Sequence, residues 1–331
     1  MSDTVAVTGS EGFIGSHLVE ALVARGHRVR AMVQYNSFGS YGWLDSLSPD
    51  VLASVEPILG DVRDARSVRD LMDGASATYH LAALIAIPYS YVAPQSYVDT
   101  NISGTLNVLE AARILGTPRI VHTSTSETYG TARTVPISED HPIQAQSPYA
   151  ATKAAADKLA ESYHLSFETP VVTLRPFNTY GPRQSARAVI PTIASQIASG
   201  KRRIELGSLT PTRDLTFVTD TAAAFVAVGT APADRVVGRV LNAGNGREIS
   251  VGDLARTIAE VMHVDVEVAQ DSQRVRPEAS EVQRLLCDNS RLCEATGWAP
   301  MNDLRTGLKE TVDWFGDPAN LSRYRPDSYT I

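Results

Sequence analysis

The sequence predicts an α/β protein: a doubly wound parallel sheet with helices on both faces, followed by a smaller, more irregular C-terminal lobe. Three observations predict it. Short β-branched runs alternate with helical patterns through the first half, a glycine-spaced turn links the first strand to the first helix, and the alternation loosens after about Arg175. Alternation of this kind builds a parallel sheet because each crossover carries a helix. Right-handed crossovers then bring every strand's C-terminal end to one edge, where ligands bind.

Thr4–Thr8 reads as the first strand, and residues 29–33, 55–59, 77–81, 119–123 and 171–174 as its successors. Between the first two, Ile14, Leu18 and Leu22 recur at helical spacing and Gly26 supplies a left-handed stop. Val98, Ile102, Leu109 and Ala112 place another helix, ended by Gly116 and Pro118. Ser147 can cap a helix whose first position is Pro148. Beyond Arg175, Gly, Pro and Arg cluster over 178–187 and 207–214, and helical patterns return at 218–228, 251–262 and 304–315. The expected division is residues 1–175 for the sheet domain, with a return to it around 215–245, residues 176–316 for the lobe, and 317–331 for a surface tail.

Apolar residues make up 43% of the chain and charged residues 20%, which suits a globular protein with a large core. At roughly 150 residues per domain, the length suits two domains or one large α/β unit. A net charge of −7 and the lack of any Lys/Arg run speak against a nucleic-acid partner. The first eight residues have no basic stretch leading into an apolar one, so no signal peptide is expected. No run approaches the roughly 18 apolar residues of a membrane span. Cys287 and Cys293 give neither a disulfide framework nor metal-ligand spacing, so no metal is expected and the expected location is a reducing cytoplasm.

Gly9, Gly12 and Gly15 form GxxGxxG between the first strand and the helix that Phe13 and Ile14 open. Gly9 permits the tight turn, Gly12 lets the backbone approach a pyrophosphate, and Gly15 lets helix and strand pack closely. The helix N-terminus then presents N–H groups and partial positive charge to the anion. This is a Rossmann-type dinucleotide turn, although a glycine-rich βα turn without a ligand has the same composition. NAD sites often place an acid at the end of the second strand, for the ribose 2′-hydroxyl. Here Val33, Gln34, Tyr35 and Asn36 offer none, nor an Arg pair for a 2′-phosphate. NAD is expected, with NADP left open. Asp61 and Val62 follow the third strand and can meet the adenine; alternatively, Asp61 caps the next helix.

Tyr149 and Lys153 lie four apart on one face of the helix that Ser147 caps. A phenol with a pKa near 10 is a poor base, and a nearby ammonium favours its phenolate. Such a pair can take the proton of a sugar hydroxyl while hydride leaves the same carbon for a nicotinamide. At the end of the strand 119–123 come Ser124, Thr125, Ser126 and Glu127. A hydroxyl there can bridge Tyr149 and substrate, and Glu127 can act on a different carbon. His80 and His122, at strand ends, read as packed structural histidines.

Together these residues resemble the extended short-chain dehydrogenase/reductase family over nearly the whole chain. The Gly9–Gly15 turn, the stretch from Leu81 through Ala82 and Ala83 to Leu84, Thr125 and the Tyr149/Lys153 pair carry the likeness. Within the family, STSETYG (124–130) looks like nucleotide-sugar 4,6-dehydratases and UDP-glucuronate decarboxylases. The runs at 175–191 and 206–214 are most similar to the N-acetylglucosamine-nucleotide dehydratases of legionaminic-acid-type pathways. GDP-mannose 4,6-dehydratases share the STSE run and the segment Arg276–Pro277–Glu278.

The resemblance implies that Tyr149 takes the C4 hydroxyl proton while C4 gives up hydride. Thr125 orients that oxygen, Glu127 removes the C5 proton, water leaves from C6, and hydride returns to C6. Ser126 departs from the pattern of dTDP-glucose dehydratases, which carry an Asp there as acid for the leaving hydroxyl. By the same likeness Asn178 and Arg213 hold the diphosphate, Arg187 and Arg276 lie near the nucleotide, Val189 belongs to the substrate site, and Ser90, in the apolar loop 85–91, faces the sugar. An Arg fork suits phosphate oxygens. The substrate that the resemblance implies is a UDP or GDP hexose, with or without an N-acetyl group. The helices around 101–115 and 147–165 form the usual homodimer interface of the family.

A 4-epimerase or a decarboxylase starts with the same C4 oxidation. Glu127 favours elimination over epimerisation, and Arg213–Asp214 tilts toward dehydration over decarboxylation. A non-catalytic NAD(P)-binding regulator is the alternative of another class, since fold alone does not fix function.

Overall fold

A computed structural model describes residues 3–275 and 277–326. Arg276 and residues 327–331 of the expected tail lie outside the described residues.

Six strands follow the expected sites: β1 (Thr4–Thr8), β2 (Arg28–Gln34), β3 (Val55–Gly60), β4 (Ala77–His80), β5 (Ile120–Thr123) and β6 (Val171–Pro176). The second half of the chain adds β7 (Asn178–Tyr180), β8 (Arg203–Leu206), β9 (Thr212–Phe217), β11 (Glu248–Ser250) and β12 (Glu267–Gln270) in the lobe, and β10 (Val240–Ala243), which returns to the sheet domain beside β6. The longer helices are α1 (Phe13–Ala24), α2 (Ala65–Met72), α3 (Gly104–Leu115), α4 (Pro148–Phe167), α5 (Val189–Ala198), α6 (Val218–Thr230), α7 (Val251–Val261) and α8 (Leu304–Gly316).

Seven strands form one parallel sheet in the order β10-β6-β5-β4-β1-β2-β3. The order reverses between β1 and β4, which opens the ligand crevice of a doubly wound fold at their C-terminal ends. Val5, Val7, Leu18, Leu22, Val121, Val172 and Phe225 fill one face of the sheet, while Ala6, Leu71, Leu109 and Ile120 fill the other. A strand buried on both faces reads as a continuous apolar run, as β1 does.

β4 stops one residue short of the expected Leu81. The N–H groups of Leu81 and Ala82 turn to the Thr8 hydroxyl, each at 3.2 Å, which bends the chain across the end of β1. The helix expected from Val98 onward opens with a π-helical turn, Val98–Ser103, before α3. Gly116 ends α3 at φ +65°, the left-handed stop expected there.

The lobe is built on β7-β9-β11, on the parallel pair β8-β12, and on α5, α7 and α8. Its core includes Ile190, Ile193, Phe217, Leu254, Ile258, Leu308 and Phe315. Beyond α8 the segment expected to lie on the surface is partly built in. Pro318–Leu321 is helical, and Tyr324 is buried with its ring 4.8 Å from Phe315 and its hydroxyl donating to the Gln184 carbonyl at 2.7 Å. A tyrosine gives that return its apolar area and its polar anchor, a signal that periodicity does not carry. Among the described residues, no helix is long and apolar enough to cross a membrane, and no cluster of three metal-type ligands occurs.

Candidate active site

The glycine turn is set by close backbone packing. Gly9 sits at φ +69°, and a Cβ there would come within 2.7 Å of the Ala82 nitrogen. A Cβ on Gly15 would meet the Gly9 carbonyl at 2.0 Å, so α1 can lie this near β1 only with glycine there. Gly12 is the N-cap of α1 and gives it no side-chain cap, and the first turn holds no acid. The opening N–H groups, with Phe13 and Ile14 in that turn, suit an anion such as a pyrophosphate. Leu81 and Ala82 stand across from Gly9, and Ala83 follows them. Asp61 forms a two-pronged pair with Arg63, and the cap of α2 is Asp64 instead, so the capping alternative for Asp61 fails. Val62 is buried, and its carbonyl accepts from Asn107 at 2.8 Å.

α4 begins as its sequence dictates. Ser147 accepts the Ala150 N–H at 3.1 Å, and Pro148 takes the first position. Tyr149 and Lys153 then point the same way, and both are buried. The Lys153 ammonium donates to the Thr123 carbonyl at 2.5 Å, at the end of β5. Thr125 caps the single turn Ser126–Tyr129 and hydrogen-bonds the Tyr149 phenol. Glu127, on the same turn, is close enough for its charge to act on that phenol, while Ser126 is buried.

Burial pushes the Tyr149 phenol well above its usual range; the Thr125 hydrogen bond opposes this and the Glu127 charge adds to it. Burial brings Lys153 itself down to about 8, against the Asp157 charge, which raises it.

Beneath the pair lies a buried network that the sequence reading missed. Asp157 accepts from Ser124 Oγ at 2.5 Å, from His122 Nε2 at 3.0 Å and from an Arg175 nitrogen at 2.7 Å. Burial opposes ionisation of Asp157, but the Arg175 charge and the His122 and Ser124 bonds outweigh it and hold the carboxyl well below its usual range. The Arg175 guanidinium also stacks 4.5 Å over the Tyr129 ring. The available signal was spacing: Asp157 lies four residues after Lys153, on the same helix face. His80 and His122 are structural, as expected. The Thr8 hydroxyl accepts two backbone N–H groups and so donates to His80 Nδ1 at 2.8 Å, which leaves Nε2–H to donate to Thr105. Burial pushes both imidazoles toward the neutral form.

The expected substrate residues are not all open. Leu84, Ile87 and Tyr97 pack with Tyr149, so the apolar loop does line the site. Ser90, however, is fully buried and donates to the Ile87 carbonyl at 2.6 Å, which leaves it inside its own helical turn rather than free to donate to a sugar. Asn178 opens β7 with a buried side-chain oxygen that has no partner among the described residues. Arg213 reaches Glu281 at 3.2 Å. Arg187 is exposed, yet its charge is felt by the Tyr97 phenol; Val189 begins α5. Asp214 does not face substrate. It is fully buried and accepts the N–H groups of Asn245, Gly246 and Cys287 at 2.8, 2.8 and 3.0 Å, and burial lifts it to about 6. The inference from Asp214 toward dehydration therefore falls, because that side chain serves as a loop anchor.

A family model described as GDP-mannose 4,6 dehydratase matches residues 6–311. The chain belongs to this family. It is thus one of the extended short-chain dehydrogenases/reductases that act on nucleotide sugars. It is 32% identical over 328 residues to a dTDP-glucose 4,6-dehydratase of Mycolicibacterium smegmatis, covering 98% of this chain and 96% of that one. It is 33% identical over 315 residues to a UDP-glucose 4-epimerase of the same organism, covering 93% and 97%. A dTDP-glucose 4,6-dehydratase of Streptomyces venezuelae, solved with NAD bound, superposes with a TM-score of 0.85 at 27% identity, covering 98% of this chain and 99% of that one. These relatives are enzymes, and this family member keeps both Tyr149 and Lys153, so the non-catalytic regulator has no support.

Proposed function

We propose that the chain is an NAD-dependent nucleotide-sugar 4,6-dehydratase. The carrying observation is the Glu127 carboxylate, set on the turn that Thr125 caps and close enough to act on the Tyr149 phenol. A base beside the C4 base is what elimination across C5 and C6 needs, and simple epimerisation does not need it.

Gly9, Gly12, Phe13, Ile14 and Gly15 would hold the pyrophosphate of NAD, with Asp61 and Val62 serving its adenine and Leu81, Ala82 and Ala83 its nicotinamide half. Bound NAD supplies a site that accepts hydride from C4 and later returns it to C6. Tyr149 takes the C4 hydroxyl proton, and Thr125 holds that oxygen in line. Lys153 keeps a positive charge below the pair and favours the phenolate. The ketone at C4 acidifies C5–H, and Glu127 removes that proton. Ser126 has no acidic group, so Glu127 passes the proton it has just gained to the C6 hydroxyl, which leaves as water. C5 then regains a proton from solvent as C6 takes hydride, and Tyr149 releases to solvent the proton it took, so the net change is the loss of one water. Asn178 and Arg213 take the diphosphate, with Arg213 exchanging Glu281 for phosphate oxygens, and Arg187 lies toward the nucleotide. Leu106 and Ile114 on α3 and Leu165 and Phe167 on α4 are exposed, which supports a second copy of the chain as the partner.

Decarboxylation of a nucleotide-linked uronic acid is the second reading, because Asp214 is turned away and Glu127 suits both reactions. Incubation with UDP-, GDP- and dTDP-sugars, read by mass spectrometry, decides between them. Loss of water supports dehydration, loss of carbon dioxide supports the second reading, and an isomer of unchanged mass overturns both.

A further inference from the structure

The glycine turn carries a carboxylate that phosphate binding does not require. β2 ends on Gln34 and runs into Tyr35 and Asn36, so the strand itself lacks the acid that NAD-binding folds place there. Glu11, in the turn before Gly12, fills that place. Its Oε1 accepts the Gln34 N–H at 3.1 Å, at the end of β2. Its main-chain oxygen accepts the Trp43 N–H at 3.0 Å, and a Cβ on Gly42 would come within 2.7 Å of that oxygen. The chain after β2 thus folds down on Glu11 and fixes it. Its second carboxylate oxygen is shielded from water and has no hydrogen-bond partner among the described residues. A carboxylate oxygen left in that state is costly, and a hydroxyl donor would offset the cost.

We infer that Glu11 is the residue that selects NAD over NADP: its unpartnered oxygen takes the ribose 2′-hydroxyl, and its charge repels a 2′-phosphate. The inference rests on the NAD reading above and adds to it a determinant that comes from the turn instead of the strand. The physics is that of any carboxylate beside the adenosine ribose. A neutral hydroxyl gains a charge-assisted bond, whereas a phosphate dianion meets like charge in a partly dry site.

The test equilibrates the full-length chain with an equimolar mixture of NAD and NADP and counts the retained nucleotides by mass spectrometry after denaturation. The unsubstituted chain is expected to retain NAD over NADP by about 100-fold, and Glu11→Gln to cut that ratio by about 10-fold or more. The amide still accepts from Gln34 but brings no charge. A ratio that Glu11→Gln leaves unchanged overturns the inference. Should that variant fail to fold, 2′-deoxy-NAD offered to the unsubstituted chain decides. Retention about 10-fold below that of NAD is expected, and equal retention overturns the inference. A chain that retains neither NAD nor NADP overturns the dehydratase reading along with it, whereas a clear NAD preference insensitive to Glu11 overturns this inference alone.

Discussion

The Lys153 ammonium is bound to the main-chain oxygen of Thr123 at 2.5 Å, which ties α4 to the end of β5 and sets the height of Tyr149 above the sheet. The catalytic pair is thereby fixed to the backbone that also delivers Thr125 and Glu127. The site is a junction of one helix and one strand end, and loss of any of these side chains should be read separately from loss of fold.

Tyr149→Phe removes the proposed base and one hydrogen bond to Thr125 while keeping the ring that packs against Tyr97, 6.3 Å away. Turnover should fall by about 10²- to 10⁴-fold with an unchanged circular dichroism spectrum. Retained turnover would remove Tyr149 from the chemistry.

Glu127→Gln should separate the two halves of the reaction. Oxidation at C4 persists, while exchange of the C5 hydrogen with deuterated solvent and loss of water both fall by about 10²-fold or more. Mass spectrometry of substrate recovered from heavy water measures both, and normal exchange in the variant would mean that another base serves C5.

Asp157→Asn leaves Arg175 buried without its partner and should destabilise the fold by about 3–5 kcal/mol at neutral pH. The sign with pH follows from the depressed folded-state pKa. The carboxylate contributes fully above its unfolded value of about 3.9 and loses its contribution as pH falls below that. Urea midpoints of parent and variant should therefore converge in acid. A constant gap from pH 7 to pH 3 would contradict the assignment.

Lys153 has the opposite charge and a pKa lowered to about 8 by burial. Between pH 8 and its unfolded value near 10.4, the unfolded chain holds more protons, so this group makes stability rise with pH, by a few kcal/mol at most. Lys153→Met should flatten that rise in urea titrations and also abolish turnover.

Gly15→Ala places a methyl group 2.0 Å from the Gly9 carbonyl. It should cost about 1–3 kcal/mol of stability by overpacking. Retention of NAD should also fall, because α1 must move away from the turn.

Much of this protein was legible without coordinates. The strand sites, the glycine turn, the Ser147–Pro148 helix start and the Tyr149/Lys153 spacing are local, and each follows from chain periodicity or from the conformation of one residue. The sequence by itself therefore determined a doubly wound sheet, the edge on which a ligand must sit, and the pair of residues that stands there. What it could not decide were contacts between residues distant in the chain. Asp157 meeting Arg175, Asp214 turning to residues 245, 246 and 287, Ser90 spending its proton on Ile87, Tyr324 returning to Phe315 and Glu11 standing in for a missing strand acid all depend on how elements pack. Side-chain direction and burial set the charge and hydrogen-bond partners of each of these groups, and neither exists until the chain has folded.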